Sequence, residues 1–482
     1  MHDLVVVGGG VSGLLLACKY KEAFPSLSVL VLEAKSKCGG RIQSVVSQDG
    51  QFVYDRGAWR IPSTHSKTMD LIKELKINLI PCYSQHMVSK TFIFKNKPLS
   101  IKKDIDIKGL SKKDSLYALG LSPNQVQQIE HNTGYVGTLD GDRQSYTTHK
   151  APTYHTTACG MSLVIDKLVD RCKELGVKIL LNTRLKSLSL SKHDEYRLKA
   201  IRRLESDFES IVIKTKQIAL ASPPNTVRKF LSKTIAKHLE PALSSVGMTS
   251  LCHVYVESTK LLPKDVYVVN DTVFNQLITV SSKWLMISYN GGEEADFSFN
   301  CYTYQRDTFL RLLCEHYETV RERYPSLPQI QYLKLSEAKV CYFKEAVSFT
   351  QSQSVYNGTN LVKKRVVPHP LKLKNLVLVG ESYGKTHGWM ESCMESLEIG
   401  YKYLTSQSGL GLGITLYKHI PQRSVVYDQR VLDVGAWLEK HPGGRQAILN
   451  HLQEDVTELL DHVHNHTNIM KYLLPLQVGY LI

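Results

Sequence analysis

Short apolar runs that end at glycine open the chain and predict a strand-helix-strand unit. The first run, residues 3–7, is rich in β-branched side chains and stops at Gly8-Gly9-Gly10. Residues 11–20 continue with a helical pattern, and a second apolar strand is predicted over residues 28–33. These segments together complete one strand-helix-strand unit of an α/β fold.

Later segments of the same kind return the chain to this sheet. A helical period covers residues 163–175, and further strands are predicted at 177–181, 217–221 and 376–379. The regions between them are richer in helix signals, lysine and tyrosine, and they are expected to be insertions that build a second domain. A Gly/Ser-rich stretch near residue 410 indicates a linker. The predicted division is 1–60, 155–224 and 344–405 for the first domain, 61–154 and 225–343 for the inserted domain, 406–413 for the linker and 414–482 for a third domain.

The first turn of the chain carries a pattern that is typical of dinucleotide binding. In Gly8-x-Gly10-x-x-Gly13 the glycines permit a tight turn, close approach of a pyrophosphate and close packing of the helix. The N-terminus of that helix then faces the phosphates. Glu33 ends the second strand, 20 residues after Gly13, where a carboxylate accepts hydrogen bonds from ribose hydroxyls. Strand, glycines, helix and acid together predict a dinucleotide site.

Composition narrows the class of protein without deciding its function. A chain of 482 residues with 43% hydrophobic and 22% charged residues is ordinary for a globular protein of two or three domains. No apolar run approaches the roughly 18 residues of a membrane helix, so no membrane span is expected. The ten cysteines are scattered without a CxxC pair, which favours free thiols in a cytoplasmic protein over a zinc site or a disulfide framework.

The net charge of +15 does not by itself indicate a nucleic-acid partner. The lysines and arginines are dispersed along the chain, and no nucleic-acid-binding motif is found among them. Residues 414–482 hold six Lys/Arg and seven Asp/Glu, so the excess positive charge lies in the first 413 residues. The expected partner is a small-molecule substrate, and the sequence leaves the oligomeric state open.

Five ordered motifs within about residues 1–405 resemble the flavin-containing amine oxidase family. They follow the glycine pattern in the order in which members of that family carry them. They are Gly39-Gly40-Arg41, Asp55-Arg56-Gly57-Ala58-Trp59, Cys159-Gly160-Met161, Ala219-Leu220-Ala221-Ser222-Pro223-Pro224, and Val379-Gly380-Glu381 with Gly388-Trp389-Met390-Glu391-Ser392.

The resemblance implies FAD, held without a covalent bond because the Ser-Gly-Gly-Cys-Tyr motif of covalently flavinylated members does not occur. It implies that Arg41 contacts the FAD pyrophosphate and that Glu381 binds the ribityl or phosphate end. The helix after Trp389 would point its positive N-terminus at the flavin carbonyl that becomes anionic on reduction. The implied cofactor-binding residues are Gly8, Gly10, Gly13, Glu33, Gly40, Arg41, Gly380, Glu381, Trp389 and Met390.

Two departures from the family pattern concern the catalytic end of the site. Trp389 supplies one aromatic ring where family members build a paired-aromatic cage, and its partner is not identified from the sequence. Many members place a lysine in the strand after the Pro-Pro motif, and here the corresponding residue is His253. His253 is therefore a weak catalytic candidate, with a hydrogen-bonded strand histidine as the alternative.

The C-terminal segment resembles cytochrome b5. The pattern leading to His441-Pro442-Gly443-Gly444, and the ending at residues 476–481, match the landmarks of that family. The resemblance implies haem b with His441 as the first axial ligand. The family spacing falls on Asn465, so the second ligand is either His466, which is favoured, or His464. The alternative is a b5 fold that has lost its haem.

The combined expectation is an α/β protein with a Rossmann-type FAD-binding domain, an inserted α+β substrate domain and a small α+β cytochrome b5-like domain. Such a protein would oxidise a C–N or C–C bond by hydride transfer to flavin and pass electrons to the b5-type haem, to oxygen or to a redox protein. Two alternatives remain open: a desaturase or dehydrogenase of the same superfamily, and an inert scaffold that retains the fold.

Overall fold

The computed structural model describes most of the chain. The described residues are 1–47, 52–82, 91–93, 112–118, 120–123, 126, 153–191, 193–264, 266–270, 272–351, 361–407, 415–417, 419–427, 430–441, 443–463 and 476–481.

The described residues form both helices and strands. The helices are α1 Val11–Ala23, α2 Ser66–Glu74, α3 Lys112–Ala118, α4 Ser162–Glu174, α5 Pro224–Arg228, α6 Lys233–Ser244, α7 Gly292–Tyr304, α8 Arg306–Arg323, α9 Leu361–Val366, α10 Met390–Gln407, α11 Gln446–Leu449 and α12 Thr457–Val463. The strands are β1 His2–Val7, β2 Val29–Leu32, β3 Ser44–Val46, β4 Phe52–Asp55, β5 Ile61–Pro62, β6 Leu79–Pro81, β7 Thr91–Ile93, β8 Tyr154–Thr157, β9 Lys178–Leu180, β10 Thr183–Leu190, β11 Tyr196–Arg203, β12 Phe208–Leu220, β13 Val246–Glu257, β14 Tyr267–Asn270, β15 Gln276–Thr279, β16 Trp284–Gly291, β17 Lys339–Thr350, β18 Leu376–Leu378, β19 Thr415–Tyr417, β20 Ser424–Tyr427, β21 Arg430–Asp433 and β22 Gln477–Leu481.

The chain folds into two compact units. The first comprises Met1–His369 and Asn375–Tyr401, and the second comprises Pro370–Lys374 and Lys402–Ile482. Residues 408–414, which include most of the predicted linker, lie outside the described part of the chain. The finer division of the first unit into a cofactor domain and a substrate domain stays a prediction.

A seven-stranded sheet forms the base of the first unit. Its order is β10-β11-β12-β1-β2-β9, with β18 paired to β12. The strands β18, β12, β1, β2 and β9 run parallel, and their inward residues are almost entirely apolar because helices cover the sheet. Every strand predicted from an apolar run is present in this sheet, within two residues of the expected end, except that β12 begins earlier, at Phe208.

The first helix is longer than predicted. It continues through Lys21, Glu22 and Ala23 and ends before Phe24-Pro25. These three residues are good helix formers, so the helix extends through them. It ends there because Pro25 keeps Phe24 out of the helical conformation.

A second sheet of six strands lies in the same unit. Its order is β17-β13-β16-β15-β14-β7, and one face packs on α7 and α8 through an apolar cluster that includes Val254, Phe274 and Phe309. The other face carries an aromatic cluster that includes Tyr255 and Tyr289. The sequence indicated helices in this region, whereas the long strands β13 and β17 form its framework.

A small three-stranded sheet, β5-β8-β6, joins residues that are far apart in the sequence. Ile61 pairs with His155, and Leu79 pairs with Thr157. This sheet brings the start of β8 next to the segment that follows the Asp55–Trp59 motif.

The second unit contains a four-stranded sheet in the order β19-β22-β21-β20 and the short helices α11 and α12. Val425, Tyr427, Leu432, Val434 and Val456 form its core. Across both units, none of the helices among the described residues is long and apolar enough to cross a membrane.

Candidate functional site

One cavity of about 1290 Å³ lies in the first unit at the carboxyl ends of the parallel strands. Its wall includes the residues that directly follow β1, β2, β12 and β18, which is where ligands bind in open α/β sheets. The same cavity continues to residues of β13, β16 and β17. It therefore connects the predicted dinucleotide turn with the second sheet.

The glycine turn at one end has two different kinds of glycine. A Cβ at Gly13 would lie 2.0 Å from the Gly8 carbonyl oxygen, so only glycine permits α1 to pack this closely on β1. A Cβ at Gly10 would meet no atom within 4 Å. Gly10 also precedes the first turn of α1, so the open space beside it is where the helix N-terminus presents its N–H groups to an anion.

Glu33 closes the other side of this turn. Its Oε2 accepts a hydrogen bond from the Gly9 N–H (2.8 Å), and its Oε1 accepts one from the Lys35 N–H (2.8 Å). The residue is 8% exposed and lines the cavity. These bonds hold the carboxylate at the cavity wall, in the position expected for a contact with a ribose.

Arg41 and Glu381 form an ion pair in the cavity wall, although they are 340 residues apart. Arg41 Nη1 donates to Glu381 Oε2 (2.7 Å) and to the Ala346 carbonyl (2.6 Å). Glu381 Oε1 accepts from the N–H groups of Ser348 (3.0 Å) and Gly388 (2.6 Å). Burial alone would raise the pKa of Glu381, but Arg41, His387 and these hydrogen bonds lower it to about 2. Glu381 is therefore a fixed anion.

A buried polar chain behind Glu381 was not found from the sequence. Ser348 Oγ donates to Glu381 Oε1 (2.5 Å), so the His387 Nδ1–H donates to the same hydroxyl (2.5 Å). His387 Nε2 then accepts from Thr350 Oγ1 (3.0 Å), which itself accepts from Arg365 Nη2 (3.0 Å). Burial lowers the pKa of His387 to about 4, so its imidazole is neutral. The only sequence signal was a histidine inside the motif that runs from Gly380 to Ser392.

Aromatic rings and an arginine also line the cavity. Trp389 stacks with Tyr154, with ring centroids 6.3 Å apart and an interplanar angle of 26°. The guanidinium carbon of Arg60 lies 4.5 Å from the ring of Trp59 and 4.7 Å from that of Tyr154. His65 meets the Trp389 ring edge-on at 5.2 Å. We call Trp59, Tyr154 and Trp389 the aromatic cage.

Comparison with known proteins gives two separate matches. Residues 6–75 match the family described as NAD(P)-binding Rossmann-like domain, and residues 418–482 match the family described as cytochrome b5-like heme/steroid binding domain. The chain therefore joins a Rossmann domain to a cytochrome b5-like domain.

Curated relatives indicate the type of this Rossmann domain. A probable flavin-containing monoamine oxidase A of Dictyostelium discoideum is 32% identical over 127 residues, which cover 24% of this chain and 27% of that protein. Flavin-containing amine oxidase A of Sus scrofa is 37% identical over 100 residues (20% of this chain, 18% of that protein), and amine oxidase B of Homo sapiens is 34% identical over 98 residues (19% and 18%). The match thus spans about a quarter or less of each relative. The similarity to these relatives is confined to this part of the chain, and the two family matches confirm the predicted fold class.

The predicted cofactor residues of the Rossmann domain lie on one continuous surface. Gly8, Gly10, Glu33, Gly40, Arg41, Gly380, Glu381, Trp389 and Met390 all line the cavity, and Gly13 supports the turn from below. Met390 begins α10, so the N-terminus of that helix lies at the cavity wall. The roles of these residues toward FAD stay predictions.

The ring that stacks with Trp389 in the structure is that of Tyr154. Both it and Arg60 lie beside segments singled out in the sequence, but only the pairing of β5 with β8 brings them together. No local pattern could show that pairing.

His253 lies deeper than the cavity surface. It is 1% exposed, its ring packs on Tyr289 at 4.4 Å, and its Nδ1 is 3.4 Å from the Tyr255 hydroxyl. Burial, with the positive charge of Arg60 as the next cause, lowers the pKa of His253 to about 3. These are the properties of a core strand histidine, and they do not favour the catalytic role that the sequence suggested.

Of the predicted haem ligands in the b5-like domain, His441 lies among the described residues. His441 is half-buried, and its Nδ1 donates to the Gly444 carbonyl at 3.3 Å, which leaves the lone pair on Nε2. Gly444 has a φ of +81°, which closes the turn around the ring. His464 and His466 lie outside the described residues, so the choice between them stays a prediction.

Proposed function

We propose that this chain is an FAD-dependent oxidoreductase of the amine-oxidase type that withdraws a hydride from a C–N bond, or a C–C bond, of a small-molecule substrate. One observation carries the proposal. A single cavity is lined by a glycine turn with open space above a helix N-terminus, by the Arg41–Glu381 ion pair and by the aromatic cage. An extended dinucleotide with a reactive ring at one end fits such a path.

The residues of the cavity have distinct roles in this proposal. The turn at Gly10 and the N-terminus of α1 would bind the pyrophosphate, and Glu33 would accept hydrogen bonds from the ribose. Arg41 would contribute a positive charge to the same phosphates, and Glu381 holds Arg41 in place from behind. FAD supplies the hydride acceptor of the reaction.

The N-terminus of α10 would stabilise negative charge at the reactive end. Met390 and Trp389 bring the positive end of an 18-residue helix to the cavity wall. Bound substrate would lie against the aromatic cage, which orients it and excludes water. The names of the curated relatives, which include flavin-containing amine oxidases, support this assignment.

In the b5-like domain, His441 and His466 would bind haem b. With these two histidines as its ligands, the haem would supply one-electron transfer. The match to a heme/steroid-binding family and the Nδ1 hydrogen bond of His441 support the site. The proposed electron acceptors are this haem, oxygen or a redox protein.

Two glycine variants test the dinucleotide site. Each is purified as the full chain, reconstituted with FAD and compared with wild type. Gly10→Ala adds a methyl group to open space, so its free energy of unfolding in urea should stay within about 0.5 kcal/mol of wild type while the dissociation constant for FAD rises at least about tenfold. Gly13→Ala collides with the Gly8 backbone and should lose the fold. A Gly10→Ala chain that binds FAD as tightly as wild type would contradict the proposal, as would a wild-type chain that stays colourless.

A further inference from the structure

One face of the antiparallel strands β10, β11 and β12 is exposed and carries positive charge. Cross-strand pairing fixes which residues share this face, because Arg197 of β11 lies opposite Ser189 of β10 on one side and opposite Lys214 of β12 on the other. Alternate residues of each strand then belong to the same face. We call this surface the basic face, after its exposed cationic residues Arg184, Arg197, Lys199, Arg203 and Lys214.

The opposite face of the same strands packs into the protein. Leu188, Leu198 and Ile213 lie opposite one another across the three strands and are buried. Glu209 pairs with Arg202 and shares this second face, so no carboxylate occupies a paired position of the basic face. The other acidic residues of these strands and their two turns lie in the turns. The basic face therefore presents one sign of charge to solvent.

The arrangement of these cations does not stabilise the sheet. Arg197 and Lys214 lie directly opposite each other on adjacent strands, and Lys199 follows Arg197 by two residues on the same face. Like charges directly opposite each other in a sheet are destabilising. Their positive charge is instead available to a partner that carries negative charge.

Exposed apolar side chains lie among the cations. Phe208 is 68% exposed and lies opposite Arg203, and Val212 is 52% exposed and lies opposite Lys199. Cations interspersed with exposed apolar side chains match the surface of an anionic bilayer, where cations contact the headgroups and apolar side chains reach the acyl boundary. A nucleic acid would use the cations, but Val212 offers no ring on which a base stacks. The combination favours a lipid surface.

We propose that the basic face docks this protein on membranes that contain anionic phospholipids. The five cations bind the headgroup charges, and Phe208 and Val212 enter the interfacial layer. This contact is peripheral, and it goes beyond the proposed function because neither cofactor takes part in it. Arg184 also lines the cavity, so it is not substituted in the test.

Co-sedimentation of the full-length protein with lipid vesicles tests the docking. The vesicles are phosphatidylcholine alone or phosphatidylcholine with about one third phosphatidylserine. Wild type is expected to bind the anionic vesicles at least about tenfold more tightly, and this binding should weaken as salt rises from about 0.1 M to 1 M, because salt screens exposed charges. Equal binding to both kinds of vesicle overturns the inference, as does tighter binding to a single-stranded oligonucleotide than to the anionic vesicles.

Lys199→Gln combined with Lys214→Gln assigns the binding to the basic face. Each lost cation weakens membrane binding about fivefold, so the double variant should bind anionic vesicles about 25-fold more weakly. Lys173→Gln combined with Arg311→Gln, at exposed residues of α4 and α8, removes the same net charge elsewhere and should bind as wild type does. Equal weakening by both double variants overturns the inference, because net charge alone would then explain the binding.

The stability of the double variant distinguishes docking from a role in the fold. Lys214→Gln removes a repulsion from Arg197, so the double variant should unfold at the same urea concentration as wild type or at a higher one. Weaker vesicle binding without a loss of stability supports the proposal. Weaker binding that accompanies unfolding overturns it, because these lysines would then support the structure.

Phe208→Ser separates membrane docking from attraction to any polyanion. Serine leaves the charges of the basic face in place and removes the exposed ring, so binding to anionic vesicles should fall at least about fivefold. Tyr304→Ser, at an 80% exposed aromatic residue of α7, is the matched control and should bind as wild type does. Unchanged vesicle binding by Phe208→Ser overturns the assignment of a lipid surface.

Discussion

Glu381 keeps its charge inside the protein because its two oxygens are surrounded by donors. Arg41 binds one oxygen, and Ser348 and Gly388 bind the other. Behind them, His387 connects the carboxylate to the buried Arg365 through hydroxyl groups. A buried carboxylate stays ionised only while all of its hydrogen-bond partners are in place. Glu381 of the Gly-Glu motif therefore depends on Ser348 and Arg365, which belong to no motif.

This arrangement predicts a stability that falls in acid. The pKa of Glu381 in the fold is about 2, below the usual 4.5, so the ionised carboxylate stabilises the fold above pH 4.5 and this contribution is lost as pH falls toward 2. Glu381→Gln should therefore lower the unfolding free energy at pH 7 by up to about 3 kcal/mol, and the difference from wild type should shrink below pH 4.5.

Urea titrations of both proteins at several pH values measure this difference. Glu315→Gln, at an exposed glutamate of α8, is the control and should change stability by less than about 0.5 kcal/mol at every pH. A Glu381→Gln deficit that is constant from pH 7 to pH 3 would contradict the assigned ionisation.

At the scale of single residues, sequence analysis identified the residues that belong to a family motif. It missed residues that come together only through tertiary packing. Gly10, Arg41 and Glu381 belong to ordered motifs and line one cavity. Arg60 has no such signal, since two of its three neighbours in the cage, Tyr154 and Trp389, are distant in the sequence. A cation–π cluster of this kind is a tertiary feature.

At the scale of elements, apolar runs located the parallel strands well because these strands are buried on both faces. The expected strand at residues 3–7 is β1, which begins one residue earlier, and that at 376–379 is β18, which ends one residue earlier. The antiparallel pair β10 and β11, and the six-stranded sheet, were not anticipated. The strands β13–β16 are buried along almost their whole length, and periodicity alone does not distinguish a buried strand from a buried helix segment.

Asp55 joins two of these elements across a long stretch of sequence. At the end of β4, its Oδ1 accepts from the Ser44 hydroxyl (2.5 Å) and from the Met161 N–H at the start of α4 (3.0 Å). Burial raises the pKa of Asp55 to about 7. A hydrogen bond from the Met161 N–H, at the N-terminus of α4, to the Asp55 carboxylate therefore links the two motifs directly.

The raised pKa makes Asp55→Asn a stabilising change at higher pH. The folded state holds the Asp55 proton more tightly than the unfolded chain, whose pKa is near 3.8, so wild type loses stability as pH rises from about 4 to 7. Asparagine keeps the accepting oxygen and does not ionise. Asp55→Asn should be more stable than wild type by about 1–3 kcal/mol at pH 8, with little difference at pH 4.

Unfolding in urea at pH 4 and pH 8 measures this gain, followed by tryptophan fluorescence. Asp170→Asn on the exposed side of α4 is the matched control and should show no pH-dependent difference. If Asp55→Asn were less stable than wild type at pH 8, the ionised form of Asp55 would be the one that stabilises the contacts with Ser44 and Met161.

At the scale of the whole molecule, each of the two compact units contains one segment that matches a known domain family. The Rossmann match lies in the first unit, and the b5-like match lies in the second. Flavin accepts electrons in pairs, whereas a haem with two histidine ligands carries them singly, so the combination suits a converter from two-electron to one-electron chemistry. The proposal requires that each unit binds its own cofactor.

His441 separates the two cofactors experimentally. In the b5-like domain the ring is positioned by its Nδ1–H bond to Gly444, so His441→Ala removes one of the proposed iron ligands and should abolish the haem absorption band. The flavin spectrum should stay, because every residue assigned to FAD lies in the first unit. His451→Ala, at a histidine paired with Glu454 in the same unit, is the control and should keep both spectra. If electrons normally pass to haem, His441→Ala should release more hydrogen peroxide per substrate oxidised in air, and equal peroxide yields would identify oxygen as the acceptor in both proteins.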